Sequence, residues 1–405
     1  MTKYFIFLLP LWWLASCTEV KGDITPATAS ILIDSLPGSC PNLVKDQQGN
    51  IVLSWVRKVN DSTHIFCYAT SIDSGQTFGA PVVITPSHTV KPHAENLPKL
   101  VFKPSGEIIA IWGTESSSTK NKYAGNLYYA QSFDGGKSWS NAMPLVKDTA
   151  GYDQRYFDVA LRQDGEAAII WLDNRKTVPQ DGSALFFAAT SGKEGFTGEQ
   201  RIMQPTCQCC RTKLFIDSKN NIHAAFRGII QDSVRDMMHT VSVDGGKTFS
   251  TPQRISTDNW VINACPHTGP AMTENGNGLQ FSWYTGGKQQ GTLHTVSNDE
   301  GNNFQPPQTI TEKGKHPQMT AAPNGTIAIA WDENIKNDTG MVSRIGLKLM
   351  AKDGKTLYRG FVSPDRWSTT FPVVTMANEK RLVMAYTQKQ EGKNFVAYQL
   401  VTVPE

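Results

Sequence analysis

Residues Ser132–Trp139 read SFDGGKSW, and this octapeptide recurs in close variants at three other places along the chain. The variants are Ser71–Phe78 (SIDSGQTF), Ser242–Phe249 (SVDGGKTF) and Ser297–Phe304 (SNDEGNNF). Serine and aspartate side chains bond the main-chain amides of a turn, and glycine supplies the positive φ that a tight hairpin requires. The terminal aromatic ring can pack the turn against a core. Each octapeptide therefore predicts a hairpin between two strands.

A longer repeat surrounds these turns, and each copy ends on an aromatic residue. The seven aromatics are Trp55, Trp112, Trp171, Phe226, Trp283, Trp331 and Tyr386. Successive members lie 48 to 59 residues apart, and an apolar strand opens fourteen residues before each of them. The opening positions are Pro41, Pro98, Phe157, Thr212, Gly269, Pro317 and Pro372. Proline at the first residue of a strand costs no ladder hydrogen bond, so its repetition at one offset favours a structural repeat.

The length of the repeat predicts the architecture. A unit of about 55 residues holds four strands, which is the size of one β-propeller blade. Seven aromatics favour an all-β propeller of seven four-stranded blades over residues 28–405, with six blades as the alternative. The last repeat has room for only three strands, so we expect residues 30–34 to supply the fourth. Pairing of the N- and C-terminal strands would then close the ring.

The octapeptides resemble the Asp-box, or bacterial neuraminidase (BNR) repeat, of the sialidase-like β-propellers. Four full copies in phase with the longer repeat extend this resemblance over roughly residues 28–405 at the level of architecture. In that family the Asp-box is a structural turn that lies away from the ligand face, so it indicates fold rather than activity. True sialidases have six blades, which is the source of the six-bladed alternative.

The first seventeen residues resemble a bacterial lipoprotein signal. Lys3 precedes an apolar run too short to span a bilayer, and Leu14-Ala-Ser-Cys17 places small residues before a cysteine. The resemblance implies lipidation of Cys17, a linker over residues 18–27 and a location in the bacterial cell envelope, on its periplasmic or cell-surface side. An ordinary secretory signal is the alternative. Under either interpretation the protein is exported to an oxidising compartment, where disulfides persist.

The composition is that of a turn-rich globular chain with a sizeable core. Of the 405 residues, 39% are hydrophobic and 19% are charged, with 33 glycines and 22 prolines. This excludes a disordered chain, a coiled coil and a polytopic membrane protein. The formal charge of +3 is spread along the sequence without a basic run, so nothing indicates a nucleic-acid partner.

The resemblance to sialidase-like propellers also implies where a ligand site lies. In that family the first strand of each blade begins at the ligand face, and the turn between the second and third strands returns to it. Residues just before the opening positions are Ser39, Cys40, Asn96, Arg155, Cys210, Arg211, His267, Lys315, His316 and Thr370. The second-to-third turns add Arg57, Asp173, Arg175, Arg227, Tyr284, Asp332 and Glu333. We expect this polar ring, the mouth of the propeller, to carry the site.

Sialidase chemistry, as the resemblance implies it, requires arginines from several blades that hold a carboxylate. It also requires a tyrosine nucleophile activated by a glutamate, and an aspartic acid that acts as the general acid. The first arginine of the family is missing, because Ser39 stands two residues before Pro41. Candidate ligand-binding residues are Arg155, Arg175, Arg211, Arg227 and His316, and candidate catalytic residues are Asp173, Arg235, Tyr284 and Tyr386. Since no clear Tyr–Glu pair accompanies them, one hypothesis is a rearranged glycoside hydrolase that acts on carboxylated sugars.

The cysteines indicate a different chemistry. Cys207, Cys209 and Cys210 fall at the mouth of the fourth repeat, and Cys265 with His267 falls at the same place in the fifth. Thiols and an imidazole that converge from adjacent blades suit copper, as Cu(I), or zinc, as Zn(II). One or two disulfides are the alternative, because an exported chain with these cysteines can form them. The sequence does not choose between metal and disulfide.

Three functions follow from these patterns. In the first, a lipid-anchored propeller binds a metal or a small ligand through the Cys/His/Arg cluster at its mouth. The second is the sialidase-type hydrolase with a glycan ligand, and the third is a scaffold for another protein of the envelope. The cysteine cluster favours the first, whereas the arginines and Asp-boxes support the second by family analogy alone. The sequence therefore leaves open whether the protein is an enzyme.

Overall fold

The computed structural model describes residues 28–116, 124–149, 151–175, 182–337 and 340–404. Within these ranges, 28 strands form seven four-stranded sheets, which are the blades of a propeller. Blade one contains β2 (Gly38–Lys45), β3 (Ile51–Lys58), β4 (His64–Ser71) and β5 (Val82–Val83). Blade two contains β6 (Lys99–Phe102), β7 (Ile108–Glu115), β8 (Gly125–Ser132) and β9 (Met143–Pro144). Blade three contains β10 (Gln154–Leu161), β11 (Ala167–Asp173), β12 (Ser183–Thr190) and β13 (Phe196–Thr206).

The remaining blades continue in chain order. Blade four contains β14 (Lys213–Ile216), β15 (Ile222–Arg227), β16 (Met237–Ser242) and β17 (Gln253–Arg254). Blade five contains β18 (Ala271–Asn275), β19 (Gly278–Thr285), β20 (Gly291–Ser297) and β21 (Gln308–Thr311). Blade six contains β22 (Lys315–Ala321), β23 (Ile327–Asn337), β24 (Gly340–Met350) and β25 (Thr356–Phe361). Blade seven contains β26 (Ser368–Asn378), β27 (Arg381–Gln390), β28 (Lys393–Thr402) and β1 (Ile31–Leu32).

The seven repeating aromatics lie on the second strands of the blades and are buried. The most exposed of them, Trp331, has only 3% of its surface accessible. On the second strand of blade three, Ile169 and Trp171 pack against blade two, whereas Ala168 and Ile170 pack against blade four. Because both faces of the strand are buried, its sequence is a continuous run of apolar residues. The prediction of seven blades is confirmed, and the six-bladed alternative is wrong.

The ring closes between the two ends of the described chain. β1 pairs antiparallel with β28 through Ile31 with Tyr398 and Leu32 with Ala397. Blade seven thus takes its outermost strand from the N-terminal side, in the order β1-β28-β27-β26. The prediction that residues 30–34 supply this strand is confirmed over a shorter segment. The pairing covers the edge that β28 would otherwise expose.

In each Asp-box, the serine hydroxyl donates to the aspartate and accepts the N–H of the glycine four residues later. Ser132 Oγ lies 2.9 Å from Asp134 Oδ1 and 2.8 Å from the Gly136 nitrogen. The same two contacts occur in the other three boxes. Gly136 has a φ of 86°, in the left-handed region that favours glycine. The predicted hairpin turns are confirmed.

A bulge at the start of the first strand recurs in blades one, three, six and seven and shapes the mouth. The bulged residues are Cys40, Tyr156, His316 and Phe371, each with a φ between 52° and 60°. The pairing register shifts at all four. Each of them immediately precedes an opening position of the sequence repeat. A left-handed backbone at a non-glycine residue costs about 1–3 kcal/mol and tends to mark functional sites.

The N-terminal predictions lie outside the described residues. They are the signal segment, lipidation of Cys17 and the linker over residues 18–27. Across the described ranges, no helix has the length and apolar character needed to cross a membrane. A short 3₁₀ helix at Thr85–Ser87 follows blade one.

Candidate functional site

Three cysteine thiols meet in the segment that joins blade three to blade four. Cys207, Cys209 and Cys210 follow β13, and the Cys207 N–H donates to the Arg227 carbonyl at 2.8 Å. Cys207 Sγ lies 3.6 Å from Cys209 Sγ and 4.0 Å from Cys210 Sγ. The three sulfurs lie within 4.8 Å of one another, and none of the three residues is more than 4% exposed. We call this compact group the thiol cluster.

Apolar side chains from blades three and four surround the thiol cluster. They include Leu185, Leu214, Phe226 and Met238, together with the ring of Tyr156. Because little water reaches such a setting, the sulfurs have mainly one another as hydrogen-bond partners. A ligand that replaced these sulfur–sulfur hydrogen bonds would have to bind all three sulfurs at once.

The three thiols differ in how readily they lose a proton. Hydrogen bonds from Cys209 and Cys210 lower the pKa of Cys207 against the opposing effect of burial, and the nearby Arg227 cation lowers it further. The hydrogen bond with Cys207 raises the pKa of Cys209, while burial raises the pKa of Cys210. The surroundings therefore favour the thiolate form at Cys207 more than at Cys209 or Cys210.

The structure separates Cys265 and His267 from the thiol cluster. Cys265 is exposed, and it does not belong to the group of sulfurs within 4.8 Å of one another. His267 is also exposed, and its ring centre lies 6.0 Å from that of His93. The five-residue metal set expected from the sequence therefore divides into three buried thiols and two exposed residues.

His93 packs at the mouth against Tyr156, which belongs to the same core cluster as the three cysteines. The His93 ring meets the Tyr156 ring edge-on, with centres 5.6 Å apart and planes at 86°. His93 Nδ1 accepts the Glu95 N–H at 3.2 Å. Burial lowers the pKa of His93, and the charge of Arg155 lowers it further. The neutral imidazole therefore persists to lower pH than that of an ordinary histidine, and its Nδ1 acts as an acceptor.

Two predicted ligand-binding arginines of the mouth already hold carboxylates. Arg155 pairs with Asp153 through two contacts, at 2.5 and 2.8 Å. Arg211 spans the axis, because it pairs with Glu95 from the segment before blade two and donates to the Pro317 carbonyl in blade six. Part of each guanidinium is therefore already engaged by the protein itself.

Arg175 and Asp173 form a pair at the end of the second strand of blade three. Arg175 Nε lies 2.8 Å from Asp173, and a terminal nitrogen of Arg175 lies 2.8 Å from Glu199 on β13. The guanidinium also lies over the Phe186 ring, 4.8 Å from its centre. Since Phe186 and Glu199 belong to the outer strands, this arginine is directed away from the axis. Burial raises the pKa of Asp173, against the opposing bonds to Arg175.

The other candidate catalytic residues lie in different blades. Arg235 and Tyr284 are close to each other, because Arg227 donates to the main-chain carbonyls of both. Tyr284 packs edge-on against Trp260, with ring centres 5.7 Å apart. Tyr386 is fully buried in the core between blades six and seven, where burial raises its pKa to about 12. Arg227 thus links the main chains of Arg235 and Tyr284, whereas Tyr386 lies in a different core cluster.

His316 forms a second polar group of the mouth, in blades six and seven. Its Nδ1 lies 2.9 Å from both carboxylate oxygens of Asp332. The ring packs on Phe371 with centres 4.2 Å apart, and Asp332 also accepts the Phe371 N–H at 2.7 Å. The imidazole is thus oriented by a carboxylate and an aromatic ring.

Two residues of the mouth received no role from the sequence. Tyr156 occupies in blade three the position that Cys40 and His316 occupy in blades one and six, so the repeat itself contained the signal. Glu95 lies in the segment before blade two, where no periodic pattern marks it. It pairs with Arg211, which is distant in the sequence, so only the folded structure shows this contact.

The family model of the BNR repeat-like domain matches residues 92–379, which is most of the chain. The protein belongs to this BNR repeat-like family. No curated protein matches the sequence significantly. The family match agrees with the four Asp-box turns and with the blade architecture that surrounds them.

Solved structures share the fold of this BNR-repeat propeller. A Dyadobacter fermentans protein of unknown function aligns over 93% of this chain and 98% of its own, with 13% identity and a TM-score of 0.54. The intramolecular trans-sialidase from Ruminococcus gnavus aligns over 90% and 94%, with 10% identity and a TM-score of 0.53. The α-L-arabinofuranosidase Arb93A from Fusarium graminearum aligns over 93% and 98%, with 11% identity and a TM-score of 0.51. These likenesses show the fold alone, so function has to be argued from the site.

Proposed function

We propose that this BNR-repeat propeller binds a thiophilic metal ion, Cu(I) or Zn(II), through Cys207, Cys209 and Cys210. The observation that carries the proposal is the spacing of the three buried sulfurs, with contacts of 3.6 and 4.0 Å from Cys207. Sulfurs bound to one zinc ion at about 2.3 Å are about 3.8–4.0 Å apart at tetrahedral or trigonal angles. Little rearrangement would bring the three thiols onto one ion.

The charges around the thiol cluster support the proposal. Three thiolates around a divalent ion carry one net negative charge, and the buried guanidinium of Arg227 would balance it. Cys207 is the thiol most ready to bind, since its pKa is already lowered. Cys209 and Cys210 would release their protons as the ion enters. The site is therefore suited to a metal–thiolate centre rather than to three neutral thiols.

The two candidate ions predict different coordination. Within the described residues, no fourth His, Cys, Asp or Glu joins the three sulfurs. Three thiolates can complete the sphere of Cu(I), whereas Zn(II) would keep an open fourth position, as catalytic zinc sites do. X-ray absorption spectroscopy of the loaded protein distinguishes the two arrangements by their coordination number.

Metal analysis of protein purified under reducing conditions tests the proposal. We expect one ion per chain in the wild type, loss of the ion in Cys209→Ser and retention in Cys67→Ser. Cys67 is the matched control, because it is a fully buried thiol on β4 of blade one. Metal-free protein with Cys207 and Cys209 joined in a disulfide, detected by mass spectrometry after alkylation, would contradict the proposal.

We further propose that the protein lies outside the cytoplasm, tethered to a bacterial membrane by lipid on Cys17. The apolar run before the Leu-Ala-Ser-Cys order supports this location. In a bacterial host, Cys17→Ser should release the protein from the membrane fraction, while Cys67→Ser should stay with it. Equal membrane retention of both variants would argue against the anchor. A small-molecule or glycan ligand and an envelope protein partner stay predictions from the sequence.

A further inference from the structure

Two histidine rings, those of His93 and His267, lie close together at the mouth, with their planes tilted by 52°. His267 is exposed and His93 is half-buried. Within the described chain, His93 Nδ1 accepts the Glu95 N–H, while His93 Nε2 and both ring nitrogens of His267 have no hydrogen-bond partner. These three nitrogens are therefore available to an incoming ligand.

The separation of the two rings suits one shared ion. In a linear N–metal–N arrangement, a metal–nitrogen bond of about 2.0 Å and a distance of about 1.1 Å from nitrogen to ring centre put the two ring centres about 6.2 Å apart, whereas a tetrahedral angle brings them to about 5 Å. The observed separation of the His93 and His267 ring centres is 6.0 Å. His267 has a left-handed backbone, with a φ of 49°. Such strain at a non-glycine residue costs about 1–3 kcal/mol and tends to occur at functional sites.

The thiols themselves are closed off from solvent. None of the three cysteines is more than 4% exposed, so an ion from outside needs a path to them. Tyr156 is common to both groups, because its ring centre lies 5.6 Å from that of His93 and it belongs to the same buried core cluster as the three cysteines. A chain of neighbouring groups thus runs from the exposed His267 to His93, then to Tyr156, and then to the core cluster that contains the three cysteines.

We propose that His93 and His267 form an entry site that captures a thiophilic ion and passes it, beside Tyr156, to the thiol cluster. The inference rests on the proposed metal function of the thiols and adds the route of loading. Transfer is a ligand exchange in which imidazole–metal bonds break as thiolate–metal bonds form. The thiol protons leave to solvent, and the ion keeps its oxidation state. A soft ion binds thiolates more tightly than imidazoles, so the exchange runs from the histidines to the thiol cluster.

Loading kinetics test the route. The probe is Cu(I) supplied as its coloured complex with bathocuproine disulfonate and mixed with metal-free, reduced protein under argon. We expect the His93→Ala/His267→Ala double variant to load about tenfold more slowly or worse, the scale seen when groups supporting a metal site are lost. Its final content should equal that of the wild type. His88→Ala, which removes another exposed histidine, should load at the wild-type rate.

A second measurement addresses the entry site without the thiols. With Cys207, Cys209 and Cys210 all changed to serine, we expect weak binding of one Cu(I) that disappears when His267→Ala is added. Loading of the double histidine variant at the wild-type rate would overturn the route and leave the thiol centre standing. Weak binding that survives His267→Ala would also overturn it. A wild type that binds no Cu(I) would overturn the route together with Cu(I) binding at the thiols.

Discussion

The guanidinium of Arg227 lies over the ring of Trp260, with its central carbon 4.9 Å from the ring centre. Its N–H groups donate to the main-chain carbonyls of Arg235, Thr268 and Tyr284 at distances of 2.8 to 3.2 Å. Arg227 ends the second strand of blade four, whereas Thr268 leads into blade five and Tyr284 belongs to it. The side chain is only 1% exposed. It therefore joins two blades next to the thiol cluster.

Replacement of Arg227 by glutamine should destabilise the fold. Three carbonyls would lose their donor, and an unsatisfied buried polar group costs about 1–3 kcal/mol, so we expect a loss of about 3 kcal/mol or more. Denaturant unfolding followed by tryptophan fluorescence measures it. Arg359→Gln, which changes an exposed arginine on β25, should alter the free energy of unfolding by less than about 0.5 kcal/mol. Equal effects of the two variants would contradict the role of Arg227 as a clamp.

The pKa order in the thiol cluster predicts a thiolate at unusually low pH. Hydrogen bonds from Cys209 and Cys210 lower the pKa of Cys207. In reduced, metal-free protein, the ultraviolet absorbance of a thiolate should persist down to about pH 6, where an ordinary cysteine with a pKa of about 8.5 is protonated. Cys207→Ser should abolish this absorbance.

Buried thiols elsewhere supply the control for that titration. Burial raises the pKa of Cys67 to about 11, so Cys67→Ser should keep the low-pH absorbance. An absorbance that disappears at the pKa of an ordinary cysteine in the wild type would show that Cys207 is not a stabilised thiolate.

The blade repeat could be predicted because two constraints recur within each blade. The second strand is buried on both faces, so it carries a large buried ring such as Trp55 or Tyr386. The first strand opens at a fixed offset before that ring, and four of its seven openings are proline. Both constraints are local and periodic, so one sequence displays them seven times. The closing strand near Ile31 followed from the count of strands in the last repeat.

The site could be predicted only in part, because its contacts are not periodic. The thiols of the cluster are near neighbours in the chain, so their proximity needs little tertiary information. Cys265 lies in the long connection between β17 and β18, whose path the repeat does not set, and it is exposed. Arg211 and its partner Glu95 are 116 residues apart in the chain. No local pattern shows which arginine of the mouth already holds a carboxylate.

The Asp-box hydrogen bonds predict a difference between two serines of one turn. Ser132 Oγ accepts the buried Gly136 N–H at 2.8 Å, so Ser132→Ala leaves that donor unpaired and should cost about 1–3 kcal/mol of unfolding free energy. Ser138 Oγ donates to Asp134 at the exposed side of the turn, so Ser138→Ala should cost less than about 0.5 kcal/mol. Thermal and denaturant unfolding measure both. A larger loss for Ser138→Ala would refute the assigned roles.

A buried histidine predicts acid sensitivity of the fold. Burial lowers the pKa of His294 to about 4, with a further contribution from the charge of Lys348, whereas an unfolded chain has a value of about 6.5. The unfolded state therefore binds the proton first. The contribution of His294 to stability is present above about pH 6.5 and is lost as the pH falls towards about 4.

Removal of that titration should flatten the pH dependence of stability. His294→Gln should reduce the slope of the unfolding free energy between about pH 6 and 4 by up to about 1.4 kcal/mol per pH unit, the value for one proton. Gln280 Oε1, which lies 2.9 Å from His294 Nε2, can accept from the new amide. His88→Gln, at an exposed site, should leave the slope unchanged. Superimposable pH profiles for wild type and His294→Gln would contradict the assignment.

The arginines of the mouth predict that the protein does not hydrolyse sialosides. Arg155 already pairs with Asp153, and Arg211 already pairs with Glu95. A substrate carboxylate would therefore compete with an internal carboxylate for each guanidinium. Tyr386, with a pKa raised to about 12 in the core, is a poor nucleophile at neutral pH.

A fluorogenic sialoside assay at high protein concentration measures this directly. We expect no hydrolysis by the wild type, with a known sialidase as positive control, and no change in Arg155→Ala. Hydrolysis by the wild type that is lost in Arg155→Ala, but kept in Cys209→Ser, would contradict this prediction. It would show that Arg155 binds the substrate carboxylate in spite of its pair with Asp153. The sialidase hypothesis would then replace metal binding by the thiol cluster as the proposed function.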